Sequence, residues 1–311
     1  MDAHGGRLAV EVLGRHGVDT MFTLSGGHLF VLYDGAVQTG MRLVDVRHEQ
    51  TATFAAEGFA KVTRRLGCAA LTAGPGVTNG ISAMTAARMN GSPMVVLAGR
   101  APQTRWGSGS LQELDHLPIV QSVTKSAATA TSAASIVAEV DAACRAARSP
   151  HRGPTFVDIP LDAFGPGSVE LPDIASGAGF HGSAPDPAAV ARVAALVASS
   201  TRPVVIAGGD VYWAHAEDAL RAFAEAARVP VFVNGMGRGT IPADHELAFS
   251  RARSVAIKEA DLVVVAGTPL DFRLGFGRFG DADVVHLCDA TTEVAAHATL
   301  AAATAGDLAA T

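Results

Sequence analysis

Cysteine is scarce: Cys68, Cys144 and Cys288 are the three among 311 residues, and no two stand at CxxC spacing. That excludes a disulfide framework and a zinc–thiolate site, and it fits a reducing, cytoplasmic setting. Long apolar runs are also missing. No segment approaches the roughly 20 uninterrupted apolar residues that a membrane span requires. The N-terminal stretch MDAHGGRLAVEVLGRHG carries charges through its apolar positions and shows no small-residue cleavage pattern, so no signal peptide is expected. Basic blocks are absent too. The 24 Lys and Arg are outnumbered by 30 Asp and Glu, for a net charge of -6 spread along the chain, which argues against a nucleic-acid partner.

What is present is a chain with 49% hydrophobic and 17% charged residues, enough to bury a core in each of two domains. Short apolar runs alternate with longer stretches of helical periodicity. Asp19 to Leu24, Arg42 to Val46, Cys68 to Thr72, Met94 to Ala98 and Thr155 to Ile159 read as strands, and His48 to Arg65, Val77 to Asn90 and Thr131 to Arg148 as helices. The strands are nearly all apolar rather than alternating, the pattern of a parallel sheet covered on both faces. From Leu161 to Asp186 the periodicity lapses into Gly, Pro and Ser, and αβ alternation then resumes. In the second half, Pro187 to Ser199 and His215 to Arg228 read as helices, and Pro203 to Ala207, Val231 to Val233, Leu262 to Ala266 and Val284 to Leu287 as strands. The expected fold class is α/β, with two doubly wound parallel-sheet domains over 1–165 and 186–311 and a linker over 166–185.

Three segments fall on one edge of the first sheet, where ligands bind in open α/β folds. These are Ser25-Gly26-Gly27 after the first strand, Arg47-His48-Glu49-Gln50 after the second and Thr72-Ala73-Gly74-Pro75-Gly76-Val77-Thr78-Asn79-Gly80 after the third. Alone, Glu49 fits the ordinary preference for an acidic residue in a helix's first turn. Gly26 and Gly27 fit a tight turn, and Asn79 fits either a helix cap or a ligand contact. The histidines His28, His48, His116 and His215 show no metal-ligand spacing and read as packed or solvated.

Taken together, RHEQ-x3-FAAEG-x-A followed by TAGPGVTNG resembles the pyrimidine-binding domain of the thiamine-diphosphate enzymes of the acetolactate synthase family. The resemblance continues in Gly109-Ser110-Leu111-Gln112-Glu113 and Val123-Thr124-Lys125, and phrases such as LSGGHLF and PLDFRLGFG are also similar to the 2-hydroxyacyl-CoA lyase and oxalyl-CoA decarboxylase branch. It implies thiamine diphosphate with Mg²⁺, and Glu49 as the carboxyl group that both gives and takes a proton at the aminopyrimidine. Gly26, Gly27, Pro75, Gly76 and Asn79 are implied cofactor contacts, with Gln112 and Lys125 near the substrate pocket. The implied activity is decarboxylation of a 2-keto acid such as pyruvate and transfer of the acyl unit to a second carbonyl, in a homodimer or tetramer. A lyase or decarboxylase acting on an acyl-CoA is the alternative within the same cofactor class, and a non-catalytic two-domain partner protein is the alternative outside it.

The segment Gly267 to Arg273 is similar to the family's flavin-binding stretch at Asp271 and Arg273, with Asp289 as a later acidic match. Pro269 replaces an expected arginine, so FAD, an ADP-type ligand or no ligand all remain open. Gly275 to Gly280 spells GxGxxG but leads into another apparent strand, which rules against a dinucleotide fingerprint. The family's Mg²⁺-binding GDG…N motif is not matched by Gly209-Asp210, Gly280-Asp281 or Gly306-Asp307, so the metal ligands are expected in a further domain and this chain alone is expected to be inactive. The closing ATAGDLAAT is expected to begin the central domain's last helix.

Overall fold

The computed structural model describes residues 1–173 and 182–311. The chain divides into two compact units, Met1–Gly179 and Phe180–Thr311. Residues 174–181 of the expected linker lie outside the described residues.

In the first unit, β1 (Asp2–His4) pairs antiparallel with β8 (Pro166–Ser168), forming a small ribbon. The main sheet is built from β2 (Thr20–Thr23), β3 (Arg42–Asp45), β4 (Gly67–Leu71), β5 (Met94–Arg100), β6 (Ser126–Thr129) and β7 (Pro154–Pro160). Its order is β3-β2-β4-β5-β7-β6, and every pairing is parallel. The central strands β4, β5 and β7 are buried almost throughout, which is why they carry unbroken apolar runs. Helices α1 (Gly5–Arg15), α2 (Phe30–Thr39) and α6 (Ala133–Arg148) supply one layer, with Leu8, Leu13, Leu32, Ile136 and Val140 in its core. The other layer has α3 (Glu49–Thr63), α4 (Pro75–Met89) and the short α5 (Leu117–Val120), and its core includes Leu71, Val77, Met84 and Phe156.

The second unit repeats this architecture on a smaller scale. Strands β9 (Pro203–Ala207), β10 (Val231–Val233), β11 (Ala248–Phe249), β12 (Leu262–Ala266), β13 (Asp283–Cys288) and β14 (Ala302–Ala305) form a parallel sheet in the order β11-β10-β9-β12-β13-β14. Helices α7 (Pro187–Ser199), α8 (Gly209–Trp213), α9 (Glu217–Ala227) and α10 (Arg253–Glu259) accompany it. Both units are therefore α/β with a doubly wound parallel sheet, as the sequence implies.

Several elements differ from the sequence reading. The end of the chain, expected as a helix, carries β14 instead, hydrogen-bonded parallel to β13 through Val285↔Ala302 to Cys288↔Ala305. Its counterpart β6 was likewise not expected as a strand. Both are edge strands made of alanine and small polar residues, SAAT and AATA, and their pairing comes from the neighbouring strand rather than from their own weak β preference. Helices α1 and α2 were also not expected, although α1 buries Leu8, Ala9, Val12 and Leu13 on one face.

Candidate active site

The carboxyl ends of β3, β2, β4 and β5 bring the three sequence segments to one edge of the first sheet. After β3, the His48 side chain caps α3 by accepting from Gln50 N at 3.1 Å, which makes Glu49 the first helical residue. After β4, Gly74 turns the chain at φ 58°, ψ -114° and Pro75 opens α4. Asn79 then lies one turn into that helix, and its Nδ2 donates to Glu49 Oε2 at 2.9 Å. Asn79 is thus no helix cap, since the cap position belongs to Gly74. The other carboxylate oxygen is turned to Gly76, where an added Cβ would stand 3.6 Å from Oε1 and only 2.7 Å from Thr72 Cγ2. Glycine at 76 therefore lets the backbone pack against the Thr72 side chain while lying beside the carboxylate.

Gly26 has a different reason to be glycine. A Cβ there would lie 2.4 Å from Thr72 Cβ, so it permits close packing of two turns, whereas one at Gly27 would meet nothing. Thr72 joins these turns to Gln112. Its hydroxyl donates to Gln112 Oε1 at 3.3 Å and accepts from the buried His28 Nδ1 at 3.1 Å. Burial holds the His28 imidazole below its ordinary pKa, against a smaller opposite pull from the Leu111 backbone. Gln112 itself sits in the left-handed region at φ 54°, with its carbonyl against Gly74, so a Cβ at Gly74 would come within 2.9 Å of that oxygen. Such a backbone conformation is uncommon for a residue with a side chain and tends to accompany functional sites.

Lys125 is not part of this group. It precedes β6 at the amino edge of the sheet, and its Nζ donates to the carbonyls of Ala146 and Ser149 at 2.7 and 2.8 Å and to Ser149 Oγ at 2.9 Å. It satisfies the carbonyl end of α6, a favoured place for a cation.

The sequence reading took His28 and His116 as packed or solvated; both are buried, and both also bond to residues of the turns described above. Their signal was present: each lies within a few residues of a site glycine or glutamine. The composition around them gave no reason to prefer a site role over packing.

In the second unit, Asp271 and Arg273 are paired with each other. Arg273 donates from its backbone N, Nε and Nη2 to the Asp271 carboxylate, and this pairing helps hold the Asp271 pKa low despite desolvation. Asp289 is buried after β13. The GxGxxG letters fall in a turn with Gly275 at φ 57° and Phe276 at φ 55°, followed by β13 rather than a helix.

Comparison with known proteins agrees with this layout. Residues 3–119 match the family described as thiamine pyrophosphate enzyme, N-terminal TPP binding domain, and residues 190–311 match thiamine pyrophosphate enzyme, central domain. The chain is 52% identical over 319 aligned positions to an acetolactate synthase large subunit of Mycobacterium tuberculosis, covering 99% of this chain and 57% of that protein. A probable acetolactate synthase of Mycobacterium bovis matches to the same extent. A 2-hydroxyacyl-CoA lyase 2 of Homo sapiens is 35% identical over 310 positions, covering 88% of this chain and 49% of the lyase. The chain thus spans about half the length of the curated relatives it matches.

Proposed function

Since the chain belongs to the thiamine pyrophosphate enzymes, we propose that it contributes the pyrimidine-side half of an acetolactate-synthase-type site acting on a 2-keto acid such as pyruvate. The observation that carries this reading is the Glu49–Asn79 hydrogen bond, with the other Glu49 carboxylate oxygen turned to the backbone of Gly76. Thiamine diphosphate, when bound, supplies the carbon nucleophile that attacks the keto carbonyl. The fit is a chemical one: a single carboxylate, oriented by an amide donor, beside a glycine backbone.

Within the reading, Glu49 holds and returns a proton at the far ring nitrogen of the aminopyrimidine, and Asn79 fixes which carboxylate oxygen is turned that way. Gly74, Pro75 and Gly76 offer backbone to the ring, and Gln112, held by Thr72, faces the substrate side. The diphosphate and its Mg²⁺ are assigned to sequence that the longer relatives have and this chain does not cover, and the working assembly to a homodimer or tetramer. For FAD or an ADP-type ligand in the second unit the fit is poor, because Arg273 is committed to Asp271.

The second reading, a 2-hydroxyacyl-CoA lyase, draws on the 35% identity to the human lyase. One experiment separates the two. The chain, assembled with a diphosphate-binding polypeptide and Mg²⁺, is assayed for acetolactate from pyruvate and for cleavage of a 2-hydroxyacyl-CoA, with Glu49→Gln alongside. Acetolactate formation that falls by about 10²–10⁴-fold in the variant supports the first reading. Cleavage of the acyl-CoA alone supports the second, and equal activity of Glu49→Gln and the parent removes Glu49 from the mechanism.

A further inference from the structure

Beneath the Gly74 turn lies a buried polar chain that the proposed chemistry does not use. Gly74 N donates to His116 Nε2 at 2.9 Å, and His116 Nδ1 lies 2.8 Å from Asp158 Oδ2. His116 and Asp158 are both fully buried. The same Asp158 oxygen accepts from Arg100 Nη1 at 2.9 Å, and Arg100 also reaches Asp115 Oδ1 at 3.2 Å. The Arg100 guanidinium stacks over Trp106, with Cζ 4.2 Å from the ring centroid. The edge of the His116 ring meets Phe156 of β7.

The chemistry of these groups fixes the proton. A backbone N–H can only donate, so His116 Nε2 must carry its lone pair there, and the ring proton must sit on Nδ1, shared with Asp158. A carboxylate on one ring nitrogen thereby sets the other as an acceptor. The arrangement resembles the way second-layer carboxylates orient working histidines elsewhere, but the group oriented here is a main-chain amide. The amide belongs to a residue in a backbone conformation that L side chains rarely adopt, at φ 58°, immediately before the Pro75 that starts α4. Gly74 also abuts the Gln112 carbonyl, so the turn and the strained Gln112 share one support.

We propose that His116, held in one tautomer by Asp158 and Arg100, is a positioning residue for the Gly74-Pro75-Gly76 turn, and through it for Gln112 and the face opposite Glu49. What the turn faces rests on the thiamine reading, whereas the positioning itself does not. A strained turn at a ligand edge needs a rigid anchor because loss of even one buried hydrogen bond lets the backbone relax toward commoner conformations.

Two measurements on the 311-residue chain, both without thiamine, test this. In the parent, ¹⁵N-histidine spectra are expected to place the His116 proton on Nδ1. A proton on Nε2 overturns the proposal whatever any variant does. The second is amide hydrogen exchange at Gly74 in His116→Gln and His116→Asn. Glutamine extends an amide oxygen to the place of Nε2 and can still accept from Gly74. Asparagine reaches only as far as Nδ1, keeps a donor for Asp158 and abandons Gly74. Exchange at Gly74 is expected to quicken on the order of tenfold or more in the Asn variant and to stay near the parent value in the Gln variant, with β4 and β5 amides unchanged in both. Equal protection of Gly74 in all three proteins, or equal loss in Gln and Asn, overturns it. If the relay fails these tests the thiamine reading still stands, and if thiamine chemistry is absent these readouts are unaffected.

Discussion

Asn79 Nδ2 donates to Glu49 Oε2 at 2.9 Å, joining the second turn of α4 to the first residue of α3 across 30 positions of sequence. Strands β3 and β4 flank β2 in a parallel sheet, so the helices that follow them begin at the same carboxyl edge, and a carboxylate at the start of α3 lies within reach of an amide in α4. If the bond orients Glu49 for proton transfer, Asn79→Ala lowers 2-keto acid turnover in the assembled enzyme by roughly tenfold, the equivalent of about 1.4 kcal/mol. Because Asn79 is exposed, its thermal midpoint shifts little, a change of within about 0.5 kcal/mol in stability. Steady-state rates beside a melting curve check both halves, and an unchanged rate discards the orienting role.

Lys125 gives the opposite pattern. Its three bonds tie β6 to the end of α6, so Lys125→Met is expected to cost on the order of 1–3 kcal/mol of stability in urea unfolding. The KM for the keto acid stays as it was. A raised KM with unchanged unfolding would restore Lys125 to the substrate pocket that its sequence neighbourhood suggests.

Acid sensitivity follows from three buried neutral histidines. His16 Nε2 donates to Asp141 Oδ1 at 2.8 Å while its Nδ1 accepts from Arg148 Nη2 at 2.6 Å, and burial, the largest influence, lowers its pKa against the pull of Asp141. His28 is lowered chiefly by burial, as is His286, which is bonded to the Thr268 carbonyl and the Ala295 amide. In each case the unfolded chain binds a proton that the fold refuses. Their contribution is complete above the unfolded value of about 6.5 and is lost as pH falls through the lower folded values. The urea midpoint should therefore drop between about pH 7.5 and 5.5, with a shallower slope in His16→Gln. A parent midpoint that is flat over that range contradicts the assignment.

The thiols should be silent in the native protein. Burial pushes Cys68 up to about 12, raises Cys144 well above its usual value and raises Cys288 as well. A thiolate-specific disulfide reagent at neutral pH is expected to label none of the three before denaturation and all three after it. Rapid labelling of any one under native conditions would mean that its unit opens readily.

Much of this was legible in sequence because it is local. Short, mostly apolar runs such as Cys68 to Thr72, bounded by turn residues, read as strands buried on both faces, and the HEQ and GPG turns follow such strands at the carboxyl edge of a parallel sheet. Those two facts put the segments that hold Glu49, Gly76 and Asn79 on one sheet edge, and the family resemblance supplied their implied roles. What only the tertiary structure decided depends on partners far apart in the chain. The strands SAAT and AATA exist because β7 and β13 offer unpaired edges, not because alanine favours a strand. Lys125 follows the carbonyls at the end of α6, which the fold brings to the amino edge of β6. His116 finds both Gly74 and Asp158, each 42 residues away, and a buried imidazole takes its role from whichever donor and acceptor the fold sets against its two nitrogens, which no local pattern encodes.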